Sequence, residues 1–201
     1  MAVISDGTTI IDAGGLGASI ASGAMNLIST TTASTSATIS FTSGITSTYK
    51  EYIFKFIDIH PATDSQNLQF QVSINGGSSY GVAITSSSFY AQHNESDTEA
   101  AVEYDAANDL ANATGFQTIL GKEPGNGNDE SVAGTLHLFN PASTTFVKNF
   151  ISRGNCQDAE PMTRDGYTSG YVNTTSAVNA IQFKMASGNI DAGIIKMYGV
   201  K

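Results

Sequence analysis

The clearest pattern in the chain is an alternation of apolar and polar residues that begins at Leu68. Every second position is apolar and the positions between are polar; the apolar ones are Leu68, Phe70, Val72 and Ile74. Successive side chains of a β-strand point to opposite faces, so this segment predicts a strand with one buried and one wet face. Asn75-Gly76-Gly77 follows and predicts a hairpin turn, with residues 80–85 returning as the partner strand.

Several other segments have the composition of strands. Residues 49–60 carry Tyr52, Phe54 and Phe56 on one face and isoleucines on the other, which predicts a central strand covered on both sides. Further strands are predicted at 36–42, 116–120, 132–139 and 144–152. At the end of the chain, residues 178–185 and 190–198 flank Ser187-Gly188-Asn189, which predicts a closing hairpin.

Two segments between these strands lack a strand pattern. Residues 100–112 are rich in alanine and acidic residues, and they predict a short helix or a loop that crosses one end of the sheet. Residues 153–176 predict a loop in which Tyr167 and Tyr171 are anchors.

The first 30 residues differ from the rest because they combine many glycines with isolated aliphatic residues. Asp6-Gly7 predicts the turn of a small N-terminal hairpin. A segment so rich in glycine forms little core of its own, whereas its aliphatic side chains favour burial. Two interpretations remain: an arm that docks on a neighbouring subunit, or an edge strand docked on its own body. The candidate docking and oligomer contacts are Val3, Ile4, Ile10, Ile11, Leu16, Ile20, Leu27 and Ile28.

Together these elements predict an all-β fold. About eight to ten short strands, mostly antiparallel and without a long amphipathic helix, are typical of a β-sandwich, and a jelly roll is the favoured form. The predicted organisation is an extended N-terminal arm or docking segment over residues 1–30 and a β-sandwich domain over residues 31–201.

Charge and cysteine content restrict the classes of function. The formal net charge is −9, which argues against sequence-independent nucleic-acid binding, because that binding requires lysine and arginine along the phosphates. No segment approaches the roughly 20 apolar residues of a membrane span, and the sequence predicts a soluble chain without a membrane partner. Cys156 is the only cysteine, so it predicts a buried, inert thiol and neither an internal disulfide nor a cysteine-based zinc site.

Few residues form a motif that could carry chemistry. The three histidines, His60, His93 and His137, are too far apart in sequence to suggest a shared metal site. The acidic run from Glu95 to Asp109 predicts a solvated face, and residues 126–130 have oxygen ligands suited to calcium but lack the EF-hand register. Neither a phosphate-binding nor a dinucleotide-binding glycine motif occurs. The sequence predicts a protein that is not an enzyme and has no cofactor.

Five segments together resemble a known group of proteins; they are residues 3–12, 50–63, 75–80, 136–141 and 188–199. With these segments the chain resembles small virion structural proteins of tailed bacteriophages that infect marine and freshwater bacteria, cyanophages among them. The resemblance covers nearly the full length and consists of strand and turn signatures, so it supplies no catalytic residue.

The resemblance implies a protein of the virion whose partners are other virion proteins. The first expectation is a capsid decoration or cement protein, clustered as a homotrimer, whose N-terminal arm docks on the major capsid protein. The second is a tail or tail-fibre component that recognises host glycans through loops at 89–112 and 121–129.

Overall fold

The structure is a computed structural model, and it describes residues 3–5, 8–12, 15–16, 24–120 and 123–201. The described residues form fifteen strands and no helix, and every strand pair is antiparallel, which confirms the predicted all-β class. Their bounds are β1 Val3–Ser5, β2 Thr8–Asp12, β3 Gly15–Leu16, β4 Met25–Ser36, β5 Ile39–Phe41, β6 Glu51–Pro61, β7 Leu68–Ser73, β8 Ile84–Asn94, β9 Ala100–Tyr104, β10 Gln117–Thr118, β11 Val132–Phe139, β12 Lys148–Gln157, β13 Met162–Val172, β14 Ala180–Met185 and β15 Ile190–Val200.

The strands form three sheets. The largest has eight strands in the order β4-β15-β6-β11-β12-β13-β8-β9, and a second has four strands in the order β10-β7-β14-β5. From β4 to β15 the chain passes from one of these sheets to the other at eight of the eleven connections. The third sheet, β1-β2-β3, consists of N-terminal strands that pair with one another.

The core lies between the four-stranded and the eight-stranded sheet, where aromatic rings from both sheets meet. Phe183 on β14 has its ring centroid 5.3 Å from those of Phe54 and Phe56, both on β6. Phe70 on β7 meets Phe150 on β12 with centroids 5.1 Å apart and planes nearly perpendicular. All five rings are almost completely buried, so these contacts contribute both apolar burial and edge-to-face geometry.

Strand β7 confirms the predicted strand at 68–74, but its predicted wet face is covered. Gln71 is fully buried, and its side-chain nitrogen donates hydrogen bonds to the carbonyl oxygens of Val82 at 3.1 Å and Gly115 at 2.8 Å. Its side-chain oxygen accepts a bond from the backbone N–H of Val72 at 2.8 Å. The buried amide therefore fastens two loops across the back of the four-stranded sheet, because a buried polar group needs its partners.

Strand β6 is central, as predicted, but it is fully packed on one face only. Tyr52, Phe54 and Phe56 are buried, whereas Ile53 and Ile57 on the other face remain partly exposed. The outer face of the eight-stranded sheet is therefore uncovered at this strand.

The predicted hairpin at 75–85 is wrong beyond its turn. Gly76 and Gly77 have φ of 72° and 86°, as the turn requires, but β8 begins only at Ile84 and pairs with β13 and β9. The two edges of β7 are already occupied by β10 and β14. The chain after the turn therefore crosses to the other sheet.

The predicted closing hairpin is also wrong. Strands β14 and β15 occupy the expected positions on either side of Ser187-Gly188-Asn189, but β14 belongs to the four-stranded sheet and β15 to the eight-stranded sheet. The connection is a corner between the two sheets. Strand β15 lies between β4 and β6 as an interior strand of its sheet.

Two segments without a strand pattern form strands. Residues 100–104 form β9, so neither the helix nor the loop predicted there describes the start of this segment. Residues 153–176 were predicted as a loop, but they contain the end of β12 and the whole of β13, which pair over ten residue positions.

A close contact explains part of this difference. Gly154 on β12 and Gly166 on β13 are cross-strand neighbours, and both lie against Leu120 at the end of the segment that contains β10. A β-carbon added to Gly166 would lie 1.4 Å from the carbonyl oxygen of Leu120. The backbone of residue 120 therefore occupies the space in which side chains of the inner sheet face would otherwise stand.

The N-terminal segment is divided between two sheets. Strands β1 and β2 pair with Ile4 opposite Thr9, which confirms two strands where the small hairpin was predicted; Asp6 and Gly7 lie outside the described residues. Strand β4 begins at Met25, inside the predicted 1–30 segment, and pairs with β15. In the described part of the chain, no helix has the length and hydrophobicity needed to cross a bilayer.

Candidate functional site

The structure distributes the predicted docking residues over several places. Ile4 is 62% exposed on β1 and Leu27 is 56% exposed on β4, whereas Ile28 packs against the core. Four others lie on strands of the small N-terminal sheet, and Ile20 lies outside the described residues; the four are Val3, Ile10, Ile11 and Leu16. Among the predicted contacts whose exposure is described, Ile4 and Leu27 present large apolar side chains to solvent.

Leu27 belongs to a larger exposed strip at the β4 edge of the eight-stranded sheet. In the register of β4 and β15, Leu27 is opposite Tyr198 and Met25 is opposite Val200. Met25 is 42% exposed, and Tyr198 and Val200 are partly exposed. We call these four residues the edge strip. Such a group of partly exposed apolar side chains on a sheet face is suited to protein contact.

A second exposed group lies at the opposite end of the same outer face. Phe89 on β8 is opposite Tyr167 on β13 and opposite Tyr104 on β9. The rings of Phe89 and Tyr167 stack with centroids 4.8 Å apart and planes 5° from parallel. Phe89, Tyr104 and Val102 are exposed. We call Phe89, Val102, Tyr104 and Tyr167 the aromatic patch.

Charged groups flank the aromatic patch in fixed positions. The Arg153 guanidinium lies 5.0 Å from the centroid of the Tyr167 ring and donates two hydrogen bonds to Asp165, at 3.2 and 2.8 Å. These bonds lower the pKa of Asp165 and raise that of Arg153. The Tyr104 hydroxyl donates a 2.5 Å bond to Asp109, which raises the pKa of Tyr104. The patch therefore offers apolar rings beside oriented hydrogen-bonding groups.

The acidic run from Glu95 to Asp109 is only partly a solvated face. Asp105 is buried and accepts hydrogen bonds from Ala107 N–H at 3.3 Å and from the Asn108 amide at 2.8 Å. Glu103 accepts a 2.6 Å bond from the Tyr90 hydroxyl. Burial, with the Glu103 bond as the second cause, raises the pKa of Tyr90 to about 12. These two carboxylates are structural, because they fix the turn after β9 and the pairing of β9 with β8.

Each of the three histidines contacts a different group. His137 contacts Glu51 at 2.6 Å, His93 contacts Asp97 at 3.0 Å, and His60 contacts the carbonyl oxygen of Gly127 at 3.1 Å. Within the described ranges, no group of three histidine, cysteine or acidic side chains could hold a metal ion. In the predicted calcium loop, Glu130 accepts a hydrogen bond from the N–H of Gly127 and so closes its own turn.

Residues 77–81 read Gly-Ser-Ser-Tyr-Gly and match the serine motif Gly-x-Ser-x-Gly. A hydrolase elbow places this serine between a strand and a helix. Here Ser79 lies in the turn that follows β7, and no helix occurs among the described residues. The Asn75 side-chain amide donates a 2.8 Å bond to the Ser79 hydroxyl, and Asn75 also accepts a bond from the Ser79 N–H. The motif therefore serves as a turn.

Cys156 is expected to be unreactive in the folded protein. Its side chain is buried, and burial raises the pKa of the thiol to about 12, so the nucleophilic thiolate is scarce at neutral pH. We expect a thiol reagent at pH 8 to label the chain only in denaturant, whereas a Ser169→Cys variant, exposed on β13, is labelled in the native state. Rapid labelling of the unmodified protein in its native state would contradict the burial of Cys156 on β12.

The aromatic patch was not visible as a unit in the sequence. Tyr167 was predicted as a loop anchor, and Phe89 and Tyr104 were included only within a long candidate loop. Their proximity follows from the register of β8, β9 and β13, which the local pattern did not reveal.

No protein-family model, curated protein or solved structure matches this chain.

Proposed function

We propose that this protein is a non-enzymatic structural component of a tailed-phage virion, and that it decorates the capsid by docking its N-terminal segment on the major capsid protein. The proposal includes a homo-oligomer, with a trimer as the favoured form. It involves neither nucleic acid nor a membrane. Its basis is the sequence resemblance described above together with the surfaces of the molecule.

The observation that carries the proposal is the separation of the N-terminal strands from the two large sheets. Strands β1, β2 and β3 hydrogen-bond to one another and to neither of the large sheets in the described part of the chain. Ile4 on β1 is 62% exposed. An apolar segment that makes its own small sheet beside a packed body is suited to docking on another protein, because burial of its aliphatic side chains then stabilises the contact.

The proposed body is a β-sandwich with a jelly-roll-like path. Its two layers are the eight-stranded and four-stranded sheets, whose inner faces share the core described above. The repeated passage of the chain between the sheets, as from β4 to β5 to β6 to β7 to β8, supports this path. A rigid body of this kind stays folded while its terminal segment engages a lattice.

Co-sedimentation with purified empty capsids of the same phage tests the docking. The two large sheets must stay intact in the truncated variant. Because deletion of residues 1–30 would remove half of β4, the deletion should cover residues 1–23 only. We expect saturable binding of the full chain and loss of binding by the truncated chain.

Two point variants make the test sharper. Ile4→Ser changes an exposed side chain of the N-terminal sheet, and Ile74→Ser changes one on the body, which is 42% exposed. We expect Ile4→Ser to weaken co-sedimentation and Ile74→Ser to leave it unchanged. Equal capsid binding by the full and truncated chains would contradict docking through this segment, and absence of binding by both would contradict decoration.

The aromatic patch supports a second candidate function, a tail or tail-fibre component that binds host glycans. Aromatic rings contact the apolar faces of sugars, and neighbouring polar groups can bond to sugar hydroxyls. The rings of Phe89 and Tyr104 are exposed close to Asp109, which Tyr104 contacts. Residues 89–112 were expected to be one of two glycan-binding loops; they contain the end of β8 and the whole of β9 instead, and three members of the patch lie on these strands.

Binding to isolated host-surface polysaccharide tests this candidate. We expect Phe89→Ala and Tyr104→Ala to lower the affinity if the patch binds sugar. Phe146→Ala is the matched control, because Phe146 is 68% exposed but lies outside the patch. Equal affinities for all three variants would contradict a glycan site at the patch.

A further inference from the structure

One row of side chains crosses the outer face of the eight-stranded sheet, with one residue from each of six neighbouring strands. Each member lies directly opposite the next in the register of the strand pairs. Neighbouring strands lie about 4.8 Å apart, so the row is roughly 24 Å long. We call it the outer row; from β15 to β8 its members are Lys196, Lys55, Thr135, Arg153, Tyr167 and Phe89.

The pairing is regular at every position of the outer row. The register shifts between β15 and β6 lie between Ile190 and Ile194, and the shift between β11 and β6 lies between Val132 and Gly134. The three remaining pairs have no shift. The order of side chains along the row therefore follows directly from the sheet.

The two ends of the outer row differ in chemistry. Tyr167 and Phe89 form one end and are the stacked rings of the aromatic patch. Lys55 and Lys196 form the other end, where they lie directly opposite each other. Arg153 lies between the two ends, and its guanidinium contacts the Tyr167 ring. The row therefore contains three of the nine basic residues of a chain whose formal net charge is −9.

The two lysines form a like-charge pair, which opposes strand pairing when the residues are directly opposite. Both side chains are partly exposed, and the Lys55 Nζ lies 5.5 Å from the centroid of the Tyr198 ring. Among the described residues, neither ammonium group has an ion pair or a hydrogen bond. The acidic residues of β6 do not compensate them, because Glu51 contacts a histidine and Asp58 has no ion pair within the described ranges.

Arg153 differs from the lysines because a carboxylate of this chain already compensates its charge. Its side chain is 62% exposed and forms an ion pair with Asp165 at 2.8 Å. The uncompensated positive charge of the outer row is therefore concentrated on Lys55 and Lys196. A bound anion at this end would relieve their repulsion.

We propose that the outer row binds an acidic polysaccharide, with its carboxylate or sulfate groups at Lys55 and Lys196 and its sugar rings against Tyr167 and Phe89. Ammonium groups donate charge-assisted hydrogen bonds to such anions, and aromatic rings contact the apolar faces of sugars. This inference rests on the second candidate function, the glycan-binding one, and names its class of ligand. It does not involve the N-terminal strands or capsid docking.

Other anionic partners fit the outer row less well. Duplex DNA carries one negative charge per about 1.7 Å of its axis, and the net charge of −9 opposes such a dense polyanion. A second copy of this chain carries the same net charge. An acidic polysaccharide combines anionic groups with uncharged ring surface, as the row combines lysines with aromatic rings. The repulsion from distant carboxylates is screened beyond about 8 Å at physiological ionic strength, so the lysines dominate locally.

Binding to two fractions of host-surface polysaccharide tests the inference. Anion exchange separates an acidic fraction, which the column retains, from a neutral fraction. We expect the unmodified protein to bind the acidic fraction about tenfold more tightly than the neutral one. Lys55→Gln/Lys196→Gln should raise the dissociation constant for the acidic fraction about tenfold and leave that for the neutral fraction unchanged. Added salt should weaken the binding of the acidic fraction.

A matched control removes the same charge outside the outer row. Lys50 and Lys201 are exposed, so Lys50→Gln/Lys201→Gln should leave the dissociation constant for the acidic fraction within about twofold of its original value. Denaturant titration separates binding from folding. We expect Lys55→Gln/Lys196→Gln to unfold at an equal or higher denaturant concentration than the unmodified protein, because the like-charge repulsion is removed. A clearly lower midpoint would contradict an uncompensated lysine pair.

The outcomes distinguish this inference from the function on which it rests. If Phe89→Ala weakens binding and Lys55→Gln/Lys196→Gln does not, the inference is overturned and the glycan-binding candidate stands. Equal affinities of the unmodified protein for the two fractions would have the same meaning. Binding of neither fraction would contradict both. Tighter binding of a single-stranded oligonucleotide than of the acidic fraction, lost in the lysine variant, would replace the polysaccharide by a nucleic acid and overturn the inference.

Discussion

Gly166→Ala is expected to lower the free energy of unfolding by at least about 3 kcal/mol, or to prevent folding. The added β-carbon would lie 1.4 Å from the Leu120 carbonyl oxygen and 2.3 Å from its carbonyl carbon. Both atoms belong to the backbone, so a rotamer change cannot relieve the clash, and residues 117–120 would have to leave the inner face of β12 and β13. Denaturant titration followed by circular dichroism measures the effect.

Gly115→Ala is the matched control for this prediction. Gly115 lies in the same connection but an added β-carbon would meet no atom within 4 Å. Its substitution is expected to change the free energy of unfolding by less than about 0.5 kcal/mol. If the two variants unfold at the same denaturant concentration, residues 117–120 do not pack on β13 as described.

Phe183→Ala is expected to lower the free energy of unfolding by about 3 to 5 kcal/mol. Phe183 is fully buried on β14 and contacts the rings of Phe41, Phe54 and Phe56, which come from both large sheets. Truncation removes the apolar burial and leaves a cavity between the sheets, because the surrounding rings relax only in part. Chemical denaturation is again the measurement.

The control for this variant is Phe146→Ala, which removes an equally large but mostly exposed ring. We expect it to change stability by less than about 0.5 kcal/mol. Similar losses for Phe183→Ala and Phe146→Ala would contradict a core formed between the four-stranded and eight-stranded sheets.

Strands with a regular alternation could be predicted from the sequence. Strand β11 occupies the predicted residues 132–139, and β7 lies within the predicted 68–74. One face of each strand packs on the core, so apolar residues occur at every second position and the strand can be identified from the sequence. The alternation does not record which strands pair. The turns after β7 and β14 were predicted correctly as turns, but their flanking segments belong to different sheets.

Strand β13 could not be predicted because its inner face is not apolar. At the centre of the strand this face presents Gly166 and Thr168, and the neighbouring β12 presents Ser152 and Gly154. The Ser152 hydroxyl lies within hydrogen-bond distance of two carbonyl oxygens, those of Ile119 at 2.8 Å and Thr168 at 3.1 Å, and shares its one proton between them. Small and polar residues occur here because a backbone segment packs on them, and the local pattern then resembles a loop.

The candidate surfaces were predictable to different degrees. Exposed aliphatic residues in the N-terminal segment could be identified from composition alone, and Ile4 and Leu27 are exposed in the structure. The edge strip and the aromatic patch depend on strand order and register, which arise from contacts between residues distant in sequence. A single sequence contains no local signal for either.

Gold labelling of intact phage particles with an antibody against this chain tests the central claim, that the protein is a structural component of the virion, most directly. We expect label on the heads at many symmetric positions, in agreement with capsid decoration. Label confined to the tail would instead favour the tail-associated alternative. If neither gold labelling nor mass spectrometry detects this chain in purified particles, a structural role in the virion is contradicted.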